Sequence, residues 1–302
     1  MNKPNFTKEH ADCILSYINV GTIRERKFKV AVDMINASAC VMDPYLFEQL
    51  GIELIPLNNI PDGNFAHRPE PAVENLADIG RLVKESGADL GFAHDPDADR
   101  LVIVDEQGKV ISEDYTLAFG VENILSEHPG ETVVMNLSTS SMISDIALKY
   151  GGKCFRTKVG ESNVLEGIKK HNAIIGGEGT SGVIYPAINN SRDGFVSLSF
   201  ALELLAKRKQ TVSECVATLP KYFLKRDKWP VTENLDAIYS KLKSYYKDAI
   251  ANDLDGLRLD FPDGSWIHLR PSITEPIIRL FAEAKTEERV DALFKETKNI
   301  LA

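Results

Sequence analysis

The sequence lacks the features that mark membrane, secreted and nucleic-acid-binding proteins. It has no apolar run near the roughly 18 to 20 residues that a membrane helix needs, so we expect no membrane partner. The opening MNKPNFTKEH contains no apolar signal-peptide core. Acidic residues outnumber basic ones by 44 to 35, and the formal charge of -9 argues against nucleic acid as a partner, because proteins that bind it usually display a basic face.

Cysteine is also scarce. The four cysteines, Cys13, Cys40, Cys154 and Cys215, lie far apart and form no Cys-x-x-Cys pair. We therefore expect reduced structural thiols and a cytoplasmic location, and no disulfide framework or zinc site. Because the chain is acidic, any anionic ligand must meet positive charge that is supplied locally.

Short β-branched runs alternate with amphipathic stretches at helical spacing, which is the pattern of parallel α/β units. At 302 residues the chain is long enough for two or three domains, each with its own core. We predict boundaries that divide it into residues 1–129, 130–221 and 222–302. The rhythm changes in the last segment, where runs of strands beside helices indicate a smaller α+β domain.

The predicted elements follow from the same patterns. The first segment has predicted strands at Val30–Val32, Leu54–Leu57, Leu90–Ala93 and Leu101–Val104, and predicted helices near 43–50, 72–86 and 113–126. The second has predicted strands at Thr132–Leu137, Lys153–Thr157, Ala173–Gly176 and Val183–Tyr185. The third has a predicted helix at Leu235–Asn252, strands around Leu257–Phe261, Trp266–Leu269 and Ile277–Glu283, and a final helix to Leu301.

Three aspartates stand at a spacing of two after an apolar strand: Asp95, Asp97 and Asp99. A turning, extended backbone can direct all three carboxylates at one point, and three converging anions repel one another unless a cation lies between them. Carboxylate oxygens favour a hard ion, Mg²⁺ first and Ca²⁺ or Mn²⁺ next. Because Mg²⁺ keeps open positions for water and phosphate oxygens, we predict a metal loop in which Arg100 orients a phosphate.

An EF-hand loop is the main alternative, because the aspartates fit its first, third and fifth positions and Glu106 its twelfth. An EF-hand requires glycine at the sixth position, where Arg100 stands, and Leu101–Val104 continues as a strand. A solvated acidic turn is the other alternative, although such a turn does not require three carboxylates in register between two buried strands.

The run Gly177-Glu178-Gly179-Thr180-Ser181-Gly182 matches Gly-x-Gly-x-x-Gly after a strand. A dinucleotide-binding motif needs a helix to begin within it, whereas the following Val183–Pro186 is β-like and ends in proline. We therefore predict a hairpin-like loop in which Glu178 offers an acceptor and Thr180 a hydroxyl to a polyol such as a sugar. The alternative is that the glycines only form a tight turn.

A third loop, Arg270-Pro271-Ser272-Ile273-Thr274-Glu275-Pro276, places an arginine and two hydroxyls between prolines after a strand, with Arg279 a little further on. Guanidinium, hydroxyl and amide groups together predict a phosphate cradle formed by Arg270, Ser272, Thr274 and Arg279. The alternative is a polar turn whose Ser and Thr bond their own backbone.

In this order, the three loops resemble those of the α-D-phosphohexomutases, the family of phosphoglucomutase, phosphomannomutase and phosphoglucosamine mutase. Weaker matches are Val30–Asp33 with Asn36, Lys158–Gly160 and Arg192–Gly194. The resemblance covers nearly the whole chain and implies domains two to four of a four-domain fold. These are two consecutive mixed-sheet α/β domains, 1–129 with the metal loop and 130–221 with the sugar loop, followed by an α+β domain, 222–302, with the phosphate loop.

The resemblance also implies a chemistry. In the family, a Mg²⁺-bound phosphoserine on a Ser-His-Asn-Pro-type loop of the first domain exchanges a phosphoryl group with a hexose phosphate, and this sequence contains no such loop. Lys158 and Glu161 match positions near the reaction, Glu161 standing where some relatives have a histidine acid or base. Ile273 and Ile277 depart from the family pattern, which favours a small or polar residue at the first and lysine at the second.

Two functions remain open on this basis. The first is a phosphohexomutase component that moves a phosphoryl group between the 1- and 6-positions of a hexose phosphate, with the phosphoserine coming from the missing domain or from a separate polypeptide. The second is a catalytically inactive remnant that binds a sugar phosphate or a metal. For this chain alone we expect no turnover. A hexose phosphate or bisphosphate is the expected partner, and the sugar loop is compatible with glucose, mannose and glucosamine phosphates.

Overall fold

A computed structural model describes residues 6–180, 182–230, 234–272 and 277–301, which form three sheets. The first unit contains α1 (Phe6–Tyr17), α2 (Val20–Arg26), β1 (Lys29–Asp33), α3 (Ala39–Leu50), β2 (Glu53–Leu57), a 3₁₀ turn (Val73–Asn75), α4 (Ala77–Ser86), β3 (Leu90–His94) and β4 (Leu101–Val104). Its sheet has the order β2-β1-β3-β4, with β1 parallel to β2 and β3, and β4 antiparallel to β3. Helices α3 and α4 make the crossovers that parallel strands need.

The second unit repeats this topology. It contains α5 (Asp114–Glu127), β5 (Thr132–Asn136), α6 (Met142–Lys149), β6 (Lys153–Thr157), α7 (Glu161–His171), β7 (Ile175–Gly177), β8 (Val183–Ile184), α8 (Gly194–Arg208) and α9 (Val212–Thr218). Its sheet has the order β6-β5-β7-β8, with two parallel pairs and a final antiparallel pair. Both sheets are therefore mixed, as the family resemblance implies.

The third unit is built on an antiparallel sheet. It contains β9 (Phe223–Pro230), α10 (Leu235–Tyr245), β10 (Ile250–Asn252), β11 (Leu257–Asp260), β12 (Trp266–Pro271), β13 (Ile277–Ala284) and α11 (Glu287–Leu301). The strand order is β10-β11-β12-β13-β9, and every neighbouring pair is antiparallel. This arrangement confirms the predicted α+β character of the last segment.

The first two units share one large hydrophobic cluster, and each also has a smaller cluster of its own. Residues 194–206 of α8 are all buried, and this helix packs against α5, α2 and α1. One cluster of buried residues consequently runs from Ala11 to Leu219, whereas the third unit has its own cluster around β11, β12 and β13. Although α8 is buried over most of its length, none of the helices in the described ranges combines the length and apolarity needed to cross a membrane.

Most predicted strands are confirmed, but the last segment needed correction. The prediction of one helix over 235–252 was wrong, because α10 ends at Tyr245 and Ile250–Asn252 pairs with β11. Strand β9 was not predicted, since its charged sequence FLKRDKWP shows little apolar alternation and its partner β13 lies about fifty residues away. Helices α1 and α2 were also missed.

Candidate functional site

The metal loop connects β3 to β4. Ligand oxygens of Asp95, Asp97 and Asp99 lie within 4.8 Å of one another; Asp95 is buried, Asp99 half-buried and Asp97 exposed. The turn closes through a 3.0 Å hydrogen bond from the Ala98 amide to the Asp95 carbonyl, and Ala98 takes a left-handed φ of 58°. The loop thus brings the three predicted metal ligands to one point.

The carboxyl groups of Asp95 and Asp99 have pKa values shifted in opposite directions. Arg100 donates to the Asp95 carboxylate from Nε at 2.7 Å and from its amide at 3.0 Å. Burial opposes ionisation of Asp95, but these hydrogen bonds outweigh it and lower the pKa of that carboxyl. Burial first, and then the hydrogen bond with Asp95, raise the pKa of Asp99 to about 7 although Arg192 opposes the rise. An oxygen-only cluster under such mutual repulsion fits a hard divalent cation such as Mg²⁺.

The glycine-rich loop connects β7 to β8, which pair antiparallel, and no helix begins among its described residues. Glu178 is buried, and its Oε1 accepts hydrogen bonds from Asn136 Nδ2 at 2.7 Å and from the Gly160 amide at 2.8 Å. Thr180 is exposed at the tip. The predicted acceptor is therefore fixed in place, and the predicted hydroxyl lies at the surface.

Asp114, at the start of α5, packs against the glycine-rich loop at Gly179. A Cβ atom on Gly179 would overlap Asp114 Oδ1, so only glycine fits at that position. Arg226 of β9 donates to Asp114 Oδ2 and to the Gly179 carbonyl, both at 3.3 Å. Burial raises the pKa of Asp114 to about 7, and the charge of Arg226 opposes this rise. A residue of the third unit thereby positions the loop of the second.

Lys158 and Glu161 follow β6 on the side of the second sheet where the sugar loop lies. Lys158 is exposed, and the next amide, that of Val159, donates to Asp255 Oδ2 at 2.9 Å. Glu161 is the first residue of α7, and its carboxylate accepts from the Arg192 amide at 3.2 Å and lies 3.4 Å from Arg192 Nε. Glu161 therefore has an ion-pair partner.

Sequence reasoning did not assign Arg192 to the site. Its guanidinium contacts the carboxylates of Asp99, Glu161 and Glu178, the last at 3.5 Å. The available signal was the run Arg192-Asp193-Gly194, which we noted only as a weak family match. Its contacts are 93 and 31 residues away in sequence for Asp99 and Glu161, so local pattern could not reveal them.

The phosphate-loop arginines lie directly opposite each other, Arg270 on β12 and Arg279 on β13, and Lys228 of β9 lies opposite Arg279 on its other side. Residues opposite each other on adjacent strands share a face of the sheet, and like charges in that arrangement are destabilising unless an anion offsets them. Within the described residues, the Nε atoms of both arginines are buried without a hydrogen-bond partner, although Asp255 Oδ2 lies 3.4 Å from that of Arg270. This row of cations therefore suits a phosphate.

The rest of the predicted phosphate loop is only partly described. The Ser272 amide donates to the Ile277 carbonyl at 2.8 Å, which ties the two ends of the loop together. Thr274, predicted to bind phosphate, and Ile273 lie outside the described residues. Nothing is therefore added to the predictions for those two positions.

The serine-rich run 137–141, at the carboxyl end of β5, holds the third unit in place. Ser138 Oγ lies 3.0 Å from His268 Nδ1, the Ser141 amide donates to Glu283 Oε1 at 2.8 Å, and Trp266 Nε1 donates to Ser141 Oγ at 3.0 Å. These hydroxyls and amides are used in domain contact, which is a structural role.

The protein is a three-unit α/β protein with a carboxylate loop, a glycine hairpin and a row of cationic side chains on three successive sheets. Residues 8–108 match the family described as phosphoglucomutase/phosphomannomutase, alpha/beta/alpha domain II, residues 112–223 match its domain III, and residues 227–300 match its C-terminal domain. The chain belongs to the phosphoglucomutase/phosphomannomutase family.

Individual relatives agree with this assignment. The chain is 38% identical over 295 residues to a phosphoglucomutase/phosphomannomutase of Thermococcus kodakarensis, and the match covers 96% of the chain. It is 34% identical over 297 residues to a phosphopentomutase of the same organism, with 95% of the chain covered. In both cases the chain spans 64% of the relative's length. A crystal structure of a family protein from Burkholderia thailandensis superposes with a TM-score of 0.86 at 28% identity, covering 98% of the chain and 64% of that structure.

Proposed function

We propose that this chain provides the metal, sugar and phosphate sites of a phosphohexomutase, which moves a phosphoryl group between the 1- and 6-positions of a hexose phosphate. One observation carries the proposal: a continuous series of contacts joins the three loops. Asp99 binds Arg192, Arg192 reaches Glu178, and Glu178 accepts from Gly160. The neighbouring Val159 amide binds Asp255, which lies beside Arg270.

Each loop then has a separate task. Mg²⁺ held by Asp95, Asp97 and Asp99 would offset negative charge on the phosphate oxygens. Glu178 and Thr180 accept and donate hydrogen bonds to sugar hydroxyls, which sets the orientation of the sugar. Arg270, Ser272 and Arg279, together with Thr274, hold the phosphate that does not react. The same cradle serves the substrate in either orientation, because each orientation leaves one phosphate at the far end.

The phosphoryl donor in this proposal is a phosphoserine that is not among the 302 residues of this sequence. A free hydroxyl of the hexose phosphate attacks the phosphoserine phosphorus, the Ser Oγ–P bond breaks, and a hexose bisphosphate forms. The hydroxyl proton must pass to a base, for which Glu161 and Lys158 are the candidates. The bisphosphate then turns over and returns its other phosphate to the serine.

The substrate class is tested by binding before turnover. The purified chain with Mg²⁺ is titrated calorimetrically with glucose 1-phosphate, mannose 1-phosphate, glucosamine 1-phosphate and ribose 1-phosphate, the last because one relative bears the name phosphopentomutase. We expect the hexose phosphates to bind more tightly than the pentose phosphate and than inorganic phosphate alone. Equal affinity for all five would contradict a sugar-recognition role for Glu178 and Thr180.

Turnover is tested separately. We expect the chain alone to give no conversion of glucose 1-phosphate to glucose 6-phosphate even with glucose 1,6-bisphosphate present, and conversion to begin when a polypeptide with a Ser-His-Asn-Pro-type loop is added. Robust turnover by the chain alone would refute the external phosphoserine. Tight binding without turnover in any mixture would favour the alternative, a catalytically inactive sugar-phosphate-binding protein.

A further inference from the structure

Arg192 lies at the point where the metal loop and the sugar loop meet. Its guanidinium contacts Asp99 of the metal loop, Glu161 at the start of α7 and Glu178 of the sugar loop. These carboxylates come from three separate chain segments, and all three side chains are buried or half-buried. One planar cation is thus shared by three anions, an arrangement for which arginine is suited and lysine is not, because only the guanidinium presents a rigid fork of donors.

The backbone next to Arg192 is anchored on the metal loop. The Asp193 side chain caps α8 by accepting from the Phe195 and Val196 amides at 2.9 and 3.1 Å. The Gly194 amide donates to the Ala98 carbonyl at 2.9 Å, and a Cβ atom on Gly194 would lie only 2.7 Å from that same oxygen. This close approach fixes the Arg192 backbone against the metal loop.

The side chain of Arg192 is guided by the sugar loop. Its stem crosses Gly182, where an added Cβ would lie 2.8 Å from Arg192 Cδ and 3.1 Å from its Cβ and Cγ. The last glycine of the motif therefore makes room for the arginine stem, and moving either one moves the other. Arg192 is consequently in mechanical as well as electrostatic contact with both loops.

We propose that Arg192 is a positioning residue that sets the affinity of the aspartate loop for a divalent cation and couples that affinity to the sugar loop. A cation bound by Asp99 competes with the guanidinium for the same carboxylate and repels it. Arg192 then transfers its hydrogen bonds to Glu161, Glu178 and an anionic ligand. Because linkage is reciprocal, a sugar phosphate that draws on Arg192 strengthens cation binding by the same factor. This inference rests on the proposed function.

The test is titration calorimetry of Mg²⁺ binding to the full chain, without turnover, in the absence and presence of glucose 1-phosphate and at mildly alkaline pH. Arg192→Met is expected to tighten Mg²⁺ binding by at least about fivefold, which is a typical size for coupling between sites. It is also expected to reduce the linkage, which is the factor by which glucose 1-phosphate strengthens Mg²⁺ binding. Any linkage that does not pass through Arg192 is common to all variants, so only the change in linkage reports on Arg192.

Two further variants separate charge from geometry. Arg192→Lys keeps the charge and is expected to bind Mg²⁺ as the wild type does while losing most of the linkage. Gly182→Ala displaces the Arg192 stem with all charges intact and is expected to shift both quantities in the same direction as Arg192→Met, but less. Arg81→Met is the matched control, because Arg81 is an exposed arginine that pairs with Asp78 on its own helix.

The outcomes distinguish the two proposals. If the wild type binds Mg²⁺ and glucose 1-phosphate but Arg192→Met has the wild-type affinity and linkage, the role of Arg192 is refuted and the proposed function stands. If Arg192→Lys matches Arg192→Met, lost packing explains the effect and the charge argument fails. If the wild type binds neither ligand, both proposals fail. Should Arg192→Met not fold, the Lys and Gly182→Ala variants decide.

Discussion

Two hairpins of this protein stand at the same position in sheets of the same topology, yet they carry different chemistry. In each sheet two parallel pairs are followed by an antiparallel fourth strand, and the loop of interest joins the third strand to the fourth. The β3–β4 loop carries three carboxylates, whereas the β7–β8 loop carries one buried carboxylate among glycines. The shared topology therefore determines where a loop lies, and its own residues determine what it can bind.

The two sheets also differ at the last residue of β1 and of β5, the strands that come first in chain order. Asp33 ends β1 and Asn136 ends β5, and each accepts a hydrogen bond from the amide two residues later, at 3.0 and 2.8 Å. An asparagine also has an N–H group to donate, and Asn136 gives it to Glu178. A carboxylate has none, and Asp33 instead lies 3.1 Å from His67 Nε2. The side-chain amide of Asn136 thus donates to a buried carboxylate, which the carboxylate of Asp33 cannot do.

The largest expected effect is on ligand affinity, when one residue of each loop is replaced in turn. Asp97→Asn preserves size at an exposed position, so folding should be unchanged. Its Mg²⁺ affinity should fall by at least the roughly 10- to 100-fold that loss of even an outer-shell partner costs.

Thr180→Val should leave Mg²⁺ affinity as it is and weaken glucose 1-phosphate binding by about 0.5–1.5 kcal/mol, the usual contribution of one hydrogen bond. Calorimetric titration of each ligand checks both; a change in Mg²⁺ affinity in Thr180→Val would contradict the division of labour.

A smaller effect is expected on stability, and it is specific to the glycine hairpin. Gly179→Ala forces a methyl group against Asp114 Oδ1 and the Thr139 backbone, so the free energy of unfolding should fall by about 1–3 kcal/mol, as in other overpacked sites. Gly21→Ala is the control, because Gly21 lies in α2, where its nearest contact to an added Cβ is 3.4 Å and alanine is the better helix former. Urea denaturation compares the two. Equal midpoints would show that the sugar loop rearranges freely.

The two loops also differ in how far the sequence could predict them. The metal loop was predicted from its local spacing, because three carboxylates within five residues define their own site. The sugar loop was predicted as a hairpin, yet its support by Asp114 and Arg226 was not, since Arg226 reaches it from a different sheet. Long-range contacts of this kind leave no periodic trace in the sequence.

The same distinction explains the errors in the fold. Strands buried on both faces, such as β3 and β4, are continuous apolar runs and were predicted at nearly their observed bounds. Strands β9 and β10 are edge strands with polar or exposed residues, so their pairing with β13 and β11 could be seen only in three dimensions. Arg192 belongs to the same class, because its role depends on partners from three segments.

The pH dependence of stability tests the role of Asp114 beneath the glycine hairpin. Burial raises the pKa of Asp114 to about 7 in the folded chain, well above its ordinary value of 3.8, so the folded state binds the proton more tightly than the unfolded state. The contribution of Asp114 to stability is therefore greatest below about pH 4 and is lost as the pH rises towards 7, with a steepest slope of about 1.4 kcal/mol per pH unit. Asp114→Asn should flatten this part of the profile. Denaturation is followed across this range at a fixed, high Mg²⁺ concentration, and an unchanged slope would contradict the assignment.

The smallest expected effect concerns the third sheet, in which Arg270, Arg279 and Lys228 form a row of positive charges. Arg279 lies between Arg270 and Lys228 across adjacent strands, so Arg279→Met should raise the free energy of unfolding by about 0.2–1 kcal/mol at low salt by relieving like-charge opposition. The same variant should bind inorganic phosphate and glucose 1-phosphate more weakly, because one guanidinium of the cradle is gone. Lys225→Met is the control: Lys225 is on the same strand as Lys228 but pairs with Asp291, so its loss should leave phosphate affinity unchanged. Lower stability with unchanged phosphate affinity in Arg279→Met would show that Arg279 supports the sheet and that the anion site lies elsewhere.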